Sequence, residues 1–146
     1  MSTTKTDVIA TTGEWFDKFP PLPKNWRDTL ARIAPILSLI FGILGILVAV
    51  SGLGVLTALS PFAVVGGAVP AYGTGIIATI IYLVGSILLL ASYPGLKARK
   101  YKGWTFLFWS EVANLVGGLV SLAFISAIIG ALIGFYLIFQ IRSYYK

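Results

Sequence analysis

From Ile33 to Leu96 the chain runs 64 residues without an Asp, Glu, Lys, Arg or His, and from Gly103 to Ile141 the only such residue is Glu111. A water-soluble domain covers its surface with charges that these two blocks lack, so they belong in a bilayer. Composition agrees: 11% of the residues are charged and mean hydropathy is +0.92, against roughly 25% charged in an average soluble domain. Cys and His are absent, which removes disulfides, thiolate nucleophiles, zinc sites and imidazole acid-base chemistry. Met1 to Thr12 is polar and lacks the apolar core of a signal peptide, so insertion is expected to rely on the first spanning helix.

About 20 helical residues cross the ~30 Å hydrocarbon layer. A first span is expected over 36–59, closing at Ser60-Pro61, and a second over 74–93, stopping at Pro94-Gly95. Trp104 to Ile141 is 38 residues, too long for one span, and divides into 104–121 and 126–141 around a turn near Leu122 to Ser126. The expected fold is an all-α polytopic membrane protein: a four-transmembrane-helix bundle over 35–146, preceded by a segment, 1–34, with an interfacial amphipathic helix. The connection 60–73 contains Pro61, Gly66, Gly67, Pro70 and Gly73. It is expected as a compact surface loop, with a re-entrant pore loop as the alternative.

Charge orders these spans. Basic residues occur only in the N-terminal segment (Lys5, Lys18, Lys24, Arg27, Arg32), the middle connection (Lys97, Arg99, Lys100, Lys102) and the end (Arg142, Lys146). Four spans put all three segments on one side, which satisfies the positive-inside rule with both termini cytoplasmic. The net charge of +6 then reads as topogenic charge, with an anionic-lipid site as the sharper alternative; nothing beyond its sign suggests nucleic acid.

Aromatic residues accompany the basic ones. Trp15, Phe16 and Phe19 fall on one side of a short helix beginning near Thr12, broken by Pro20-Pro21-Leu22-Pro23 into an extended spacer. A second helix, N-capped by Asn25, carries Trp26, Leu30, Ile33 and Leu37 on one stripe, pairs Asp28 with Arg32 and bends near Pro35. Tyr93, Tyr101, Trp104, Trp109, Tyr144 and Tyr145 complete an interfacial belt. Lys97, Arg99, Lys100, Lys102, Arg142 and Lys146 sit with it at the headgroups. The N-terminal helices are read as an anchor, or as a docking arm for a partner.

In lipid, close approach at small residues decides which helices meet. Ser38, Gly42, Gly45, Ala49 and Gly52 form a seam on the first span, and Ala78, Gly85 and Ser92 repeat every seven on the second. The first two spans are therefore expected to pair through these seams. Ala113, Gly117 and Ser121, then Ser126, Gly130 and Gly134, are four apart and are expected to join the third and fourth spans. Whether the seams lie within one chain or between copies is open at this level.

Glu111 is the one ionisable residue inside a span, and Asn114 follows on the same face. An acidic residue in hydrocarbon is by default a functional hypothesis. A hydrogen bond or salt bridge to Lys97, Arg99 or Lys102 is one reading; a proton- or cation-coupled site and a contact to a subunit or lipid are the others. No phosphate-binding loop, paired carboxylates or metal-ligand cluster occurs in the spans, so neither enzymatic activity nor a cofactor is expected.

Pro20-Pro21-Leu22-Pro23, Tyr93-Pro-Gly-Leu-Lys-Ala-Arg-Lys-Tyr-Lys-Gly-Trp104 and Gly134-Phe-Tyr-Leu-Ile-Phe-Gln-Ile-Arg-Ser-Tyr-Tyr-Lys146 resemble segments of small uncharacterised bacterial four-helix membrane proteins. The resemblance covers most of the chain and implies a bacterial inner membrane. The chromate-transport label sometimes given to such proteins does not transfer, because an oxyanion path needs positive charge that these spans lack. The function expected is a non-enzymatic membrane subunit supporting assembly, homo-oligomerisation or lipid organisation; a small oligomeric proton-coupled transporter or channel using Glu111 is the alternative.

Overall fold

The computed structural model describes the backbone of residues 3–145 and the side chains of residues 8–145. The described chain is all-helical: α1 (Thr3–Phe16), α2 (Lys24–Val65), α3 (Val69–Lys97), α4 (Tyr101–Val120) and α5 (Phe124–Gln140), closed by a 3-10 turn at Arg142–Tyr144. Lys24–Val65, Val69–Lys97 and Phe124–Tyr144 are long and apolar enough to cross a membrane.

α2 and α3 outrun their expected limits of 36–59 and 74–93, and Pro35, Pro61 and Pro94 lie inside them. A proline lacks the amide that would bond the carbonyl four residues back, and hydroxyl groups can replace it. At Pro61 the freed carbonyl is that of Thr57, and the Ser60 hydroxyl donates to it at 2.8 Å. At Pro35 it is that of Ala31, which the Tyr145 hydroxyl reaches at 3.5 Å. Pro70 sits in the first turn of α3, where no intrahelical amide bond is due. The expected loop over 60–73 thus shrinks to Gly66, Gly67 and Ala68, too short for a re-entrant segment. Asn25 lies inside α2 rather than capping it. The expected boundary between 34 and 35 falls within this one continuous helix.

All three turns between successive long helices share one geometry. Gly67, Arg99 and Leu122 take φ of 69°, 55° and 63°. The next amide in each case returns to a carbonyl five residues back: Ala68 to Ala63, Lys100 to Gly95 and Ala123 to Gly118, at 2.8, 2.8 and 3.0 Å. This Schellman closure satisfies helix-end carbonyls within three residues and sends the chain back antiparallel.

The helices pack in chain order, α2 on α3, α3 on α4 and α4 on α5, while α1 lies on α5. In the first pair Ser38, Gly42 and Ala49 are buried, and Gly45 and Gly52 are half-buried. A Cβ at Gly42 would come within 2.9 Å of the Leu90 backbone, and Gly45 rests against Ser86. Ala78, Gly85 and Ser92 are also buried, but Gly85 faces α4 instead of α2. A Cβ there would meet Asn114, Ala113 and the Ser110 carbonyl at 3.1, 3.2 and 3.3 Å. Gly117 likewise faces the Tyr82 ring of α3. Ala113 and Gly117 therefore hold α3, not α5, because a helix in the middle of a row must offer a close face to each neighbour. On α5, Gly134 meets Glu111, whereas nothing lies within 4 Å of a Cβ added at Gly130. Ser121 and Ser126 are exposed at the turn.

Antiparallel packing gathers Lys24, Arg27, Arg32, Lys97, Arg99, Lys100, Lys102 and Arg142 at one end, and the uncharged turns at Gly67 and Leu122 at the other. The core sits at the basic end. Leu96, Trp104 and Phe108 are its fully buried large side chains, with Phe135, Ile138 and Tyr145 around them. At the opposite end α2 and α3 continue past the α4–α5 turn: α3 extends 13 residues beyond Tyr82, which lies opposite Gly117 and Gly118. The helical rise makes the overhang roughly 15 Å. Its Leu59, Phe62, Val64, Val65 and Val69 are exposed.

Candidate functional site around Glu111

Glu111 stands halfway along α4, ten residues after its first residue, Tyr101, or about 15 Å by the helical rise. Its carboxylate lies against Gly134 of α5, where any added Cβ would collide with it. The glycine reserves room for a side chain, not for a neighbouring backbone.

Cavities open on three sides of the carboxylate. One of about 280 Å³ lies between α2 and α5 and is lined by Leu37, Ser38, Phe41, Leu107 and Leu137. A second, of about 660 Å³, continues along α2 and α3 past Phe41, Gly45, Tyr82 and Ser86 to Asn114. A third, of about 220 Å³, lies between α4 and α5 beside Tyr82, Asn114, Ala127 and Gly130. The first two share Phe41, Leu89 and Glu111, so they are adjoining parts of one groove. It exists because α2 and α5, the outer helices of the row, are not among the closely packed pairs.

Among the described residues, no Lys or Arg lines these cavities. The expected partners of Glu111 are occupied at the basic end: the Lys97 ammonium lies over Tyr93 at 5.9 Å, and that of Lys102 over Phe106 at 6.0 Å. The Arg99 guanidinium lies 5.7 and 5.8 Å from the rings of Tyr144 and Tyr145. The expected salt bridge is not formed, because Glu111 is about two helical turns too deep for these short reaches. The Tyr82 phenol and the Asn114 amide share the second and third cavities with Glu111, but the serines face away: Ser38 donates to the Pro35 carbonyl at 2.8 Å, and Ser86 to that of Tyr82 at 2.9 Å. Such bonds within a helix satisfy the hydroxyl and leave no donor for a neighbour.

The expected collar divides. Trp15, Trp26, Arg32, Lys97, Arg99, Lys100 and Lys102 are exposed, and Arg27 and Arg142 are half-buried; Lys146 lies outside the described residues, as does the side chain of Lys5. Trp104 is a core residue instead of an interfacial one. Its indole Nε1 donates to the Ile138 carbonyl at 2.9 Å, and the Arg142 guanidinium covers its ring at 5.3 Å. Tyr145 is buried too, and burial raises its phenol pKa against the opposing pull of Arg99. Asp28 accepts a hydrogen bond from the Tyr144 hydroxyl in place of the expected partner Arg32. The stripe led by Trp26 divides: Trp26 and Leu37 are exposed, while Leu30 and Ile33 are half-buried, with Leu30 against the core. The residues α2 buries fully are Ala31, Pro35 and Ser38, where the C-terminal tail reaches the Ala31 carbonyl.

α1 buries Ile9, Gly13 and Phe16, with Phe16 stacked 5.7 Å from Phe139. Trp15, Phe16 and Phe19 cluster on one side as expected, their ring centroids 5.4 to 5.8 Å apart, with Phe16 buried against α5 and Trp15 and Phe19 exposed at the outer edge. The spacer after α1 is tied to α5 by the Tyr136 hydroxyl donating to the Pro20 carbonyl at 2.7 Å and the Leu22 amide donating to Gln140 Oε1 at 2.9 Å.

Phe41, Tyr82 and Ser86 join the site without having been singled out by sequence. Tyr82 carried a readable signal, a phenol in the middle of an apolar span; Phe41 carried none, because spans are rich in such residues. Comparison with protein-family models, curated proteins and solved structures gives no match.

Proposed function

We propose that this chain is a four-span bacterial inner-membrane protein, α2 to α5 crossing the bilayer with the basic end cytoplasmic, and that it works as a small proton-coupled transporter centred on Glu111. α4 counts as the fourth span in this reading: its 20 residues match the ~30 Å hydrocarbon layer, and its acidic side chain is shielded by α3 and α5. The basic end faces the cytoplasm by the positive-inside rule. One observation carries the functional reading: a carboxylate at mid-span opens onto three cavities whose linings hold no cation. Placing an acidic group there is costly, and no ion pair at the site offsets the cost. A group that takes up and releases a proton as the protein works accounts for it. Reconstitution tests this. In vesicles carrying an imposed pH gradient, the protein should give proton flux that Glu111→Gln abolishes; equal flux from both proteins would end the reading.

The overhang of α2 and α3 supports a second reading, a subunit of a larger or self-associated assembly. Its exposed Phe62, Val64 and Val65 reach past the α4–α5 turn on a stretch with no charged residue, and an apolar patch of that kind is a typical contact surface. Gentle extraction should then recover the protein with a partner or as an oligomer. A lone monomer would exclude it.

A further inference from the structure

We propose that the groove between α2 and α5 binds a hydrophobic cation, such as an amphiphilic amine or an onium ion. This rests on the reading of Glu111 as a working carboxylate and names the class of solute it takes.

Charge selects the class first. Glu111 is the one formally charged residue in the lining of all three cavities, so a bound cation finds a counter-ion and an anion is repelled. Lys97, Arg99, Lys102 and Arg142 cannot serve as internal counter-ions, since their cations rest on aromatic rings at the basic end. The walls select next. Apart from Glu111, the part between α2 and α5 is lined by aliphatic side chains, Phe41, one glycine and Ser38, whose hydroxyl is bonded within its own helix. A strongly hydrated ion such as sodium would find there only the Glu111 carboxylate and the Ser38 oxygen in exchange for its water shell, short of the roughly six oxygen ligands a hard cation takes. An onium ion with apolar substituents needs none. Phe41 and Tyr82 bring aromatic rings to the larger cavity, and a ring face attracts a desolvated cation. Its volume of about 660 Å³ falls within the roughly 300–1,000 Å³ of ordinary ligand pockets. The groove lies between two helices that do not close on each other, so an amphiphile can enter sideways from the bilayer.

A lipid chain would fill the same apolar space but leave the carboxylate without a partner, and this difference is testable. Tetraphenylphosphonium binding to the purified protein in a neutral detergent, followed by equilibrium dialysis, should be saturable and weakened at least tenfold by Glu111→Gln. Glu111→Asp should keep measurable binding, and Glu14→Gln, an exposed acid on α1, should leave it unchanged. Gel filtration identifies any variant that has lost its fold. Binding that is unsaturable, or equal in wild type and Glu111→Gln, would overturn the proposal, as would a phospholipid retained equally by both proteins in native mass spectrometry. Glu111-dependent proton flux without phosphonium binding would sink the solute class and leave the proton reading standing; loss of both would remove both.

Discussion

Pro61 shows how one hydroxyl keeps a helix running. The Ser60 hydroxyl occupies the Thr57 carbonyl that the proline leaves free, so Ser60→Ala should orphan it and lower stability by about 1 kcal/mol; a thermal melt in detergent reads this. The left-handed turn residues offer a paired test. Gly67 carries its φ of 69° without a Cβ, while Leu122 holds 63° with one. Gly67→Ala should cost about 1 kcal/mol, and Leu122→Gly should relieve a comparable strain, because its side chain is exposed and little packing is lost. Opposite signs are expected in the same melt. Equal destabilisation would mean that the Leu122 side chain is held by contacts its exposure does not suggest.

Between elements, the α4–α5 contact depends on two unlike residues. Trp104 fills the core and bonds the Ile138 carbonyl, so Trp104→Ala should cost about 3 to 5 kcal/mol through the cavity and the lost bond. Gly134 is different, since its missing Cβ makes space for the Glu111 carboxylate. Gly134→Leu should lower stability by about 1 to 3 kcal/mol and displace that side chain. Gly130→Leu, one turn away and facing open space, should be tolerated. Thermal melts of the two variants decide between this arrangement and a continuous glycine seam, which would make them equally harmful.

For the molecule as a whole, the row of four antiparallel helices leaves a groove where a closed bundle would leave none. Its orientation can be measured directly, because the chain has no native cysteine to confuse labelling. A cysteine at Lys102 should be protected from an impermeant thiol reagent in intact cells, and one at Ala68 should react. Labelling of both from outside would put the two ends of α3 on the same side and break the proposed four-span topology.

Helical class, the apolar character of the long segments and the confinement of basic residues to three segments were determined by the sequence alone, because hydropathy and charge are local properties that survive any packing arrangement. The small-residue faces at Gly42 and Gly85 were legible for the same reason. The partner of Gly42 was legible too, since the first two spans were expected to pair and Gly42 meets α3; that of Gly85 was not, because a period of seven marks a face and only the row order decides that this one meets α4. Proline misled at 61 and 94 because its local effect is to remove a hydrogen bond; at Pro61 another local group, the Ser60 hydroxyl, takes the freed carbonyl and the helix continues. The site shows the same division. Glu111 was visible as a lone charge in an apolar stretch, while its isolation from Lys97, Arg99 and Lys102, its seat on Gly134 and the groove beside Phe41 and Tyr82 arise from contacts between helices distant in sequence.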